Sequence, residues 1–142
     1  MAPQSGSMPD SMIWQGVCVS IGAALGALLR WRLSVWLNPV FPTLPFGTLA
    51  SNLIGGFVIG LCMEYFARNA AVPPELRLAA VTGFLGGLTT FSTFSAETTA
   101  LLLRRDFGWS LTIIAAHLVG SLLLTLAGVY CVRALFSRAV SI

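Results

Sequence analysis

The sequence has no lysine, a single histidine and five acidic residues, and only 9% of its 142 residues are charged. A soluble domain carries about 25% charged residues, so a water-soluble globular fold is excluded. One histidine, with no clustered residues at metal-ligand spacing, leaves nothing from which to build a reactive constellation, so no enzymatic activity is expected. All eight basic residues are Arg, scattered singly or in pairs between apolar stretches; the net charge of +3 therefore builds no nucleic-acid surface, and nucleic acid is not an expected partner. The three cysteines, Cys18, Cys62 and Cys131, are odd in number and each falls in an apolar stretch. We read them as buried free thiols acting as small hydrophobes, not as disulfide or metal partners. No basic segment precedes the first apolar run, so that run reads as a retained helix, not a leader peptide. Residues 1–12 read as a disordered tail and residues 139–142 as a short C-terminal tail.

What is present is apolar: 56% of residues are hydrophobic and the mean hydropathy is +0.86. The expected class is an all-α, multi-pass integral membrane protein of the cytoplasmic (inner) membrane, with four spans at about 13–37, 46–66, 76–103 and 109–132 forming one membrane domain over 13–138. Asn38-Pro39 should stop the first span, and Pro74 suits the first turn of the third. Gly22-x-x-x-Gly26 in span one has the spacing that lets two helices approach closely. Four helices leave little interior, so a path formed by one copy is not expected and an oligomer is.

Orientation follows the excess of Lys and Arg in cytoplasmic loops. Sorting the links by side puts Arg68, Arg77, Arg133 and Arg138 against Arg30, Arg32, Arg104 and Arg105, four against four. With no excess, both orientations should insert, which permits an antiparallel dimer with its twofold axis in the membrane plane.

The chemistry concentrates in span three. Gly83-Phe84-Leu85-Gly86-Gly87-Leu88 is followed by Thr89-Thr90-Phe91-Ser92-Thr93-Phe94-Ser95, a run in which every residue carries a hydroxyl or a phenyl ring, and then by Glu97. The glycines at 83, 86 and 87 should let the backbone depart from the helix and free polar backbone groups. On helical spacing Thr90, Thr93 and Glu97 share a face, with Phe91 and Phe94 beside them. Hydroxyls donate to anions or accept from cations, and the positive edge of a phenyl ring favours an anion without formal charge. Such a helix either lines an ion or solute path or packs against its neighbours. Thr48 and Asn52 lie one turn apart in span two, where a buried amide needs partners. His117, Ser121 and Thr125 form a polar stripe on span four.

The stretch Gly83–Ser95 resembles the signature of the CrcB/Fluc family of microbial fluoride channels. Phe46-Gly47-Thr48-Leu49, with Asn52-Leu53-x-Gly55, resembles the family's second-span motif, and Gly26-Ala27-Leu28-Leu29-Arg30 its first. The resemblance covers nearly all of the chain after Ile13. It implies a four-helix subunit in a dual-topology antiparallel homodimer, a third helix broken in the membrane centre, and two pores for passive, selective fluoride export. It also implies one structural sodium ion, held by backbone carbonyls that match Gly86 and Thr89 of both subunits. The pore phenylalanines match Phe91 and Phe94, and the second-span asparagine matches Asn52. Ser92, Thr93, Ser95 and Glu97 match the polar track, and Arg30 the first-span arginine. Thr48, Ser121, Thr125 and His117 are additions to the path, His117 the weakest. A small dual-topology drug/proton exporter is the alternative. Its chemistry calls for an acidic residue central to span one, which is lacking here.

Overall fold

A computed structural model describes residues 8–41 and 43–139. Long apolar runs without interior proline satisfy every backbone group within a helix, which is what hydrocarbon demands. Among the described residues there is no strand. The helices are α1 (Met8–Leu37), α2 (Phe46–Arg68), α3 (residues 74–88), α4 (Phe91–Leu103) and α5 (Phe107–Ala139). Four stretches, Ser11–Val40, Phe46–Arg68, Pro74–Leu103 and Phe107–Ser137, are long and apolar enough to cross a membrane.

Two expected ends move outward. α1 starts at Met8, so residues 8–12 are helical and not part of a tail; proline near a helix start costs little, because its missing N–H would be unbonded there. α5 continues past 132 to Ala139, since nothing in Arg133-Ala134-Leu135-Phe136-Ser137 breaks a helix. The remainder of the two tails lies outside the described residues.

Backbone-on-backbone seams hold the bundle together. Along α1 and α3, Gly22, Gly26, Gly83 and Gly87 interlock: a Cβ on Gly83 would fall 2.6 Å from the Val19 carbonyl, and one on Gly26 would collide with the Phe84 carbonyl. Along α2 and α5, a Cβ on Gly56 would lie 2.9 Å from the Ser121 carbonyl, and Gly60 and Gly128 meet the facing backbone in the same way. This is how apolar helices associate when lipid removes the hydrophobic drive between them. Gly83 and Gly87 therefore serve packing, whereas a Cβ on Gly86 would meet nothing nearer than the Val81 carbonyl at 3.9 Å. No glycine among the described residues has a positive φ. The expectation that glycines 83, 86 and 87 supply the departure from helix is corrected: residues 79–85 widen into π-helical turns, and the interruption comes later, at Thr89-Thr90.

Burial is inverted relative to a soluble domain. The buried side chains include Thr48, Ser51, Thr90, Thr98, Ser110 and His117, while Leu, Ile, Val and Trp residues cover the outside. Cys131 is exposed on that surface, contrary to the expected burial, and Cys18 and Cys62 are half-buried; all three are free thiols.

Two ends of the bundle are tied by polar contacts. Glu64 accepts from Arg68 (2.8 Å) and from Arg133 (3.0 Å), so these arginines share a side, as the alternation of spans requires. At the other end Asn38 Oδ1 accepts the Gly47 N–H (2.8 Å), and Phe41 packs between Phe46 and Trp109. Arg30 lies inside α1, within the expected first span, and donates to the Gly87 carbonyl (3.1 Å).

Candidate functional site

The helix of span three stops where Thr89 (φ −82°, ψ 154°) and Thr90 (φ −151°, ψ 112°) become extended, and α4 restarts at Phe91. Such a gap strands backbone groups that hydrocarbon cannot satisfy. Asn52 of α2 repairs it. Its Oδ1 accepts the Thr90 N–H (2.8 Å) and its Nδ2 donates to the Thr90 carbonyl (3.1 Å). One amide side chain thus pairs with one residue's backbone as a neighbouring strand would. The Thr90 hydroxyl then caps α4 by accepting the Thr93 N–H (3.1 Å) and donates to Thr93 Oγ1 (3.0 Å).

These bonds redirect two donors. In an unbroken helix the Thr90 N–H would serve the Gly86 carbonyl and the Thr93 N–H the Thr89 carbonyl. Both donors are used elsewhere. The Thr89 side chain is turned inward, its hydroxyl donating to the Leu85 carbonyl (2.8 Å) and its methyl lying on Gly55.

Asn52 has a third contact, Nδ2 to His117 Nδ1 of α5 (3.0 Å). Both amide hydrogens and the amide oxygen are therefore engaged within the subunit. His117 is 5% exposed and stacks on Phe94, with ring centroids 4.6 Å apart and planes inclined by 33°. Its Nε2 is buried with no partner. Phe94 in turn meets Phe91 edge-on at 5.5 Å.

A cavity of about 510 Å³ opens beside the interruption. It brings together Asn52, Gly86, Thr89, Phe91, Phe94, Ser121 and His117 from the expected set, and adds Thr90. Its remaining wall is apolar, from Ile59, Val81 and Leu85. One turn beyond Phe94 a second cavity, about 320 Å³, is lined by Glu97, Arg104 and Asp106 among others. There fully buried Thr48 donates to Glu97 Oε1 (2.6 Å), and Glu97 Oε2 is buried without a partner.

The other expected positions lie outside both cavities. Ser92 and Ser95 are exposed on the outer face of α4, and Phe91 is 79% exposed although its ring reaches the first cavity. Thr93 serves the cap. Arg30 clamps the Gly87 carbonyl just ahead of the interruption, and the Thr125 hydroxyl is turned onto the Ser121 carbonyl (2.8 Å). Helical spacing places Thr90 only on a face shared with Thr93 and Glu97. Its backbone role depends on Asn52, 38 residues away, and leaves no periodic signal.

Residues 17–129 match the family described as CrcB-like protein, Camphor Resistance (CrcB). The chain belongs to the CrcB family. Curated CrcB relatives carry the name fluoride-specific ion channel FluC. One from Nitrosospira multiformis is 60% identical over 115 residues, covering 81% of this chain and 90% of the relative. Another, from Cupriavidus metallidurans, is 57% identical over 84% of this chain and 94% of its own. A third, from Burkholderia pseudomallei, is 51% identical over 90% of this chain and the whole of its own. CrcB membership and four span-length helices make this a multi-pass membrane protein of an ion-channel family, not an enzyme.

Proposed function

We propose that this chain is the subunit of a fluoride-selective channel that exports fluoride passively across the cytoplasmic membrane. The observation that carries the reading is the interruption at Thr89-Thr90. A membrane helix with extended backbone persists only where it lines a cavity or is buried in protein, and here it borders a cavity walled by hydroxyls, an imidazole and phenyl rings. The interruption falls midway along the span-length stretch Pro74–Leu103, which supports a site deep within the span. Names carried by close relatives supply the ion.

The chemistry suits fluoride. A small, strongly hydrated anion must exchange water for donors of comparable strength in a narrow passage. Ser121 supplies an O–H donor in the cavity, the edges of Phe91 and Phe94 add weaker electrostatic support, and the hydroxyls of Ser92, Thr93 and Ser95, which lie outside the cavity on α4, would extend the passage where a second copy covers that face. Asn52 shapes the passage, while Thr48 holds Glu97 where the track continues toward water. No Lys or Arg lines the first cavity, so nothing there binds the anion too tightly for release. Chloride is larger and fits such a passage poorly.

The assembly is an antiparallel homodimer with two pores. Its support is the even arginine tally, four against four, and the outward-facing Phe91, which a second copy would cover. The carbonyls of Gly86 and Thr89, freed from their helical donors, fit a structural sodium ion, which prefers oxygen ligands. Bound between the subunits, it would add a positive charge near the two passages and tie the interrupted helices together. The exporter alternative is disfavoured, because Glu64 is held by two arginines and no acidic residue lies central to α1.

Purified protein in liposomes tests the reading. Fluoride should leave loaded vesicles down its gradient while chloride stays trapped. Equal leakage of both ions, or of neither, refutes it.

A further inference from the structure

At the end of the bundle that carries Glu64, arginines from two helices converge on one carboxylate. Arg68 of α2 gives its Nε (2.8 Å) and a terminal nitrogen (2.7 Å) to Glu64 Oε1, and Arg133 of α5 gives only its Nε to Oε2 (3.0 Å). Both carboxylate oxygens are taken, and two guanidinium groups against one carboxylate leave the cluster positive. The terminal nitrogens of Arg133 have no partner among the described residues. The Glu64 side chain is 12% exposed, whereas those of Arg68 and Arg133 are 40% and 53% exposed, so an incoming group meets the cations first. The carbonyl end of α2 would repel an anion, but it is covered: the Asn69 amide donates to the Tyr65 carbonyl (2.9 Å) and Arg77 to the Asn69 carbonyl (2.8 Å).

An apolar stripe leads up to this cluster. On helical spacing Val119, Leu123, Leu126, Tyr130 and Arg133 share one face of α5, and all are exposed. That face is turned away from Ser121 and the first cavity. From Leu126 to Arg133 the helix rises about 10 Å. Aliphatic side chains, a phenol and a guanidinium therefore follow one another in the order of acyl chain, glycerol ester and phosphate in a phospholipid. We propose that Arg68 and Arg133, with the stripe below them, bind an anionic glycerophospholipid, its phosphate on the free guanidinium nitrogens and an acyl chain along Val119, Leu123 and Leu126. Guanidinium groups match phosphate oxygens in geometry as well as charge. A zwitterionic headgroup fits less well, because its ammonium meets a positive cluster whose one carboxylate is already occupied. The site touches neither cavity and does not rest on the channel reading.

Native mass spectrometry of the full-length protein, released from detergent with equal amounts of phosphatidylglycerol and phosphatidylethanolamine, tests the site. One arginine near an anionic surface favours the charged lipid about fivefold, so wild type should retain phosphatidylglycerol at least that strongly over phosphatidylethanolamine. Arg68→Gln combined with Arg133→Gln should bring the preference below twofold. Glu64→Gln breaks the same ion pairs but leaves both cations, so it should keep the preference or raise it. That contrast separates loss of the cations from loss of the tie between α2 and α5. Glycerophosphoglycerol, the headgroup without chains, should not displace the lipid. Equal retention of the two lipids by wild type, full preference in the double variant, loss of preference in Glu64→Gln, or displacement by the bare headgroup overturns the assignment.

Discussion

Thr48 and Asn52 sit one turn apart on the same face of α2, and both reach toward the helix that carries the phenylalanines, yet they do different work. Asn52 repairs backbone: its amide replaces the helical partners that Thr90 lost, and it passes its last hydrogen to His117. Thr48 serves a side chain: its hydroxyl meets one oxygen of Glu97 and leaves the other unmatched. The first arrangement closes every bond of the amide and passes one free donor to the cavity wall. The second leaves one free acceptor. A donor favours an anion and an unmatched carboxylate oxygen does not, so the two turns of α2 mark two different environments along one track.

Removing Asn52 should have the largest effect. Asn52→Ala strands the Thr90 N–H and carbonyl together, and each buried, unmatched group costs about 1–3 kcal/mol. Side-chain hydrogen bonds between membrane helices average only about 0.6 kcal/mol, because the groups find other partners in the reference state. Thr90, already unwound, has none at hand. Asn52→Ala should lower thermal stability in detergent by several degrees and abolish efflux; unchanged stability would show that the amide does not hold the interruption. Asn52→Asp keeps the acceptor for the Thr90 N–H but loses both donors and places a carboxylate beside the cavity, so it too should impair efflux.

Phe94→Ile comes next. It preserves apolar volume but removes the ring that stacks on His117, so efflux should fall about tenfold with the protein still folded. Phe91→Ile, at a ring that is mostly outside the subunit, should cost less in an isolated subunit and a comparable amount in a dimer that buries it. Measuring both variants therefore sharpens where the second copy sits. Thr48→Val should have a smaller effect, a few-fold loss of efflux, because Glu97 can turn toward the second cavity; a loss as large as that of Asn52→Ala would erase the contrast between the two turns. Thr89→Ser should change least. It keeps the hydroxyl on the Leu85 carbonyl and the backbone carbonyl, and loses only the methyl on Gly55, so efflux within twofold of wild type is expected.

The spans were legible because hydropathy and length act locally: Asn38-Pro39 ends α1, and Pro74 opens α3 where expected. Gly22 and Gly26 pack as their spacing implies. The site was legible as a composition, through the hydroxyl and phenyl run and the isolated Asn52. Its geometry was not. The interruption falls on threonines instead of glycines because what stabilises it is an amide on another helix, and Gly83 and Gly87 are taken up by the seam with α1. Arg30 was legible as a first-span residue, but not its contact with the Gly87 carbonyl, which joins residues 57 apart. The contact between Asn52 and His117 joins residues 65 apart on different helices, and no spacing rule reports that.

The central claim is that the ion passes through the cavity beside the interruption, and filling that cavity tests it most directly. Ser121 lines it from α5, and the space of about 510 Å³ accommodates an indole. Fluoride efflux from liposomes carrying Ser121→Trp should fall at least tenfold, in protein that elutes from detergent chromatography as the wild type does. Wild-type efflux through Ser121→Trp would contradict the claim and put the path elsewhere.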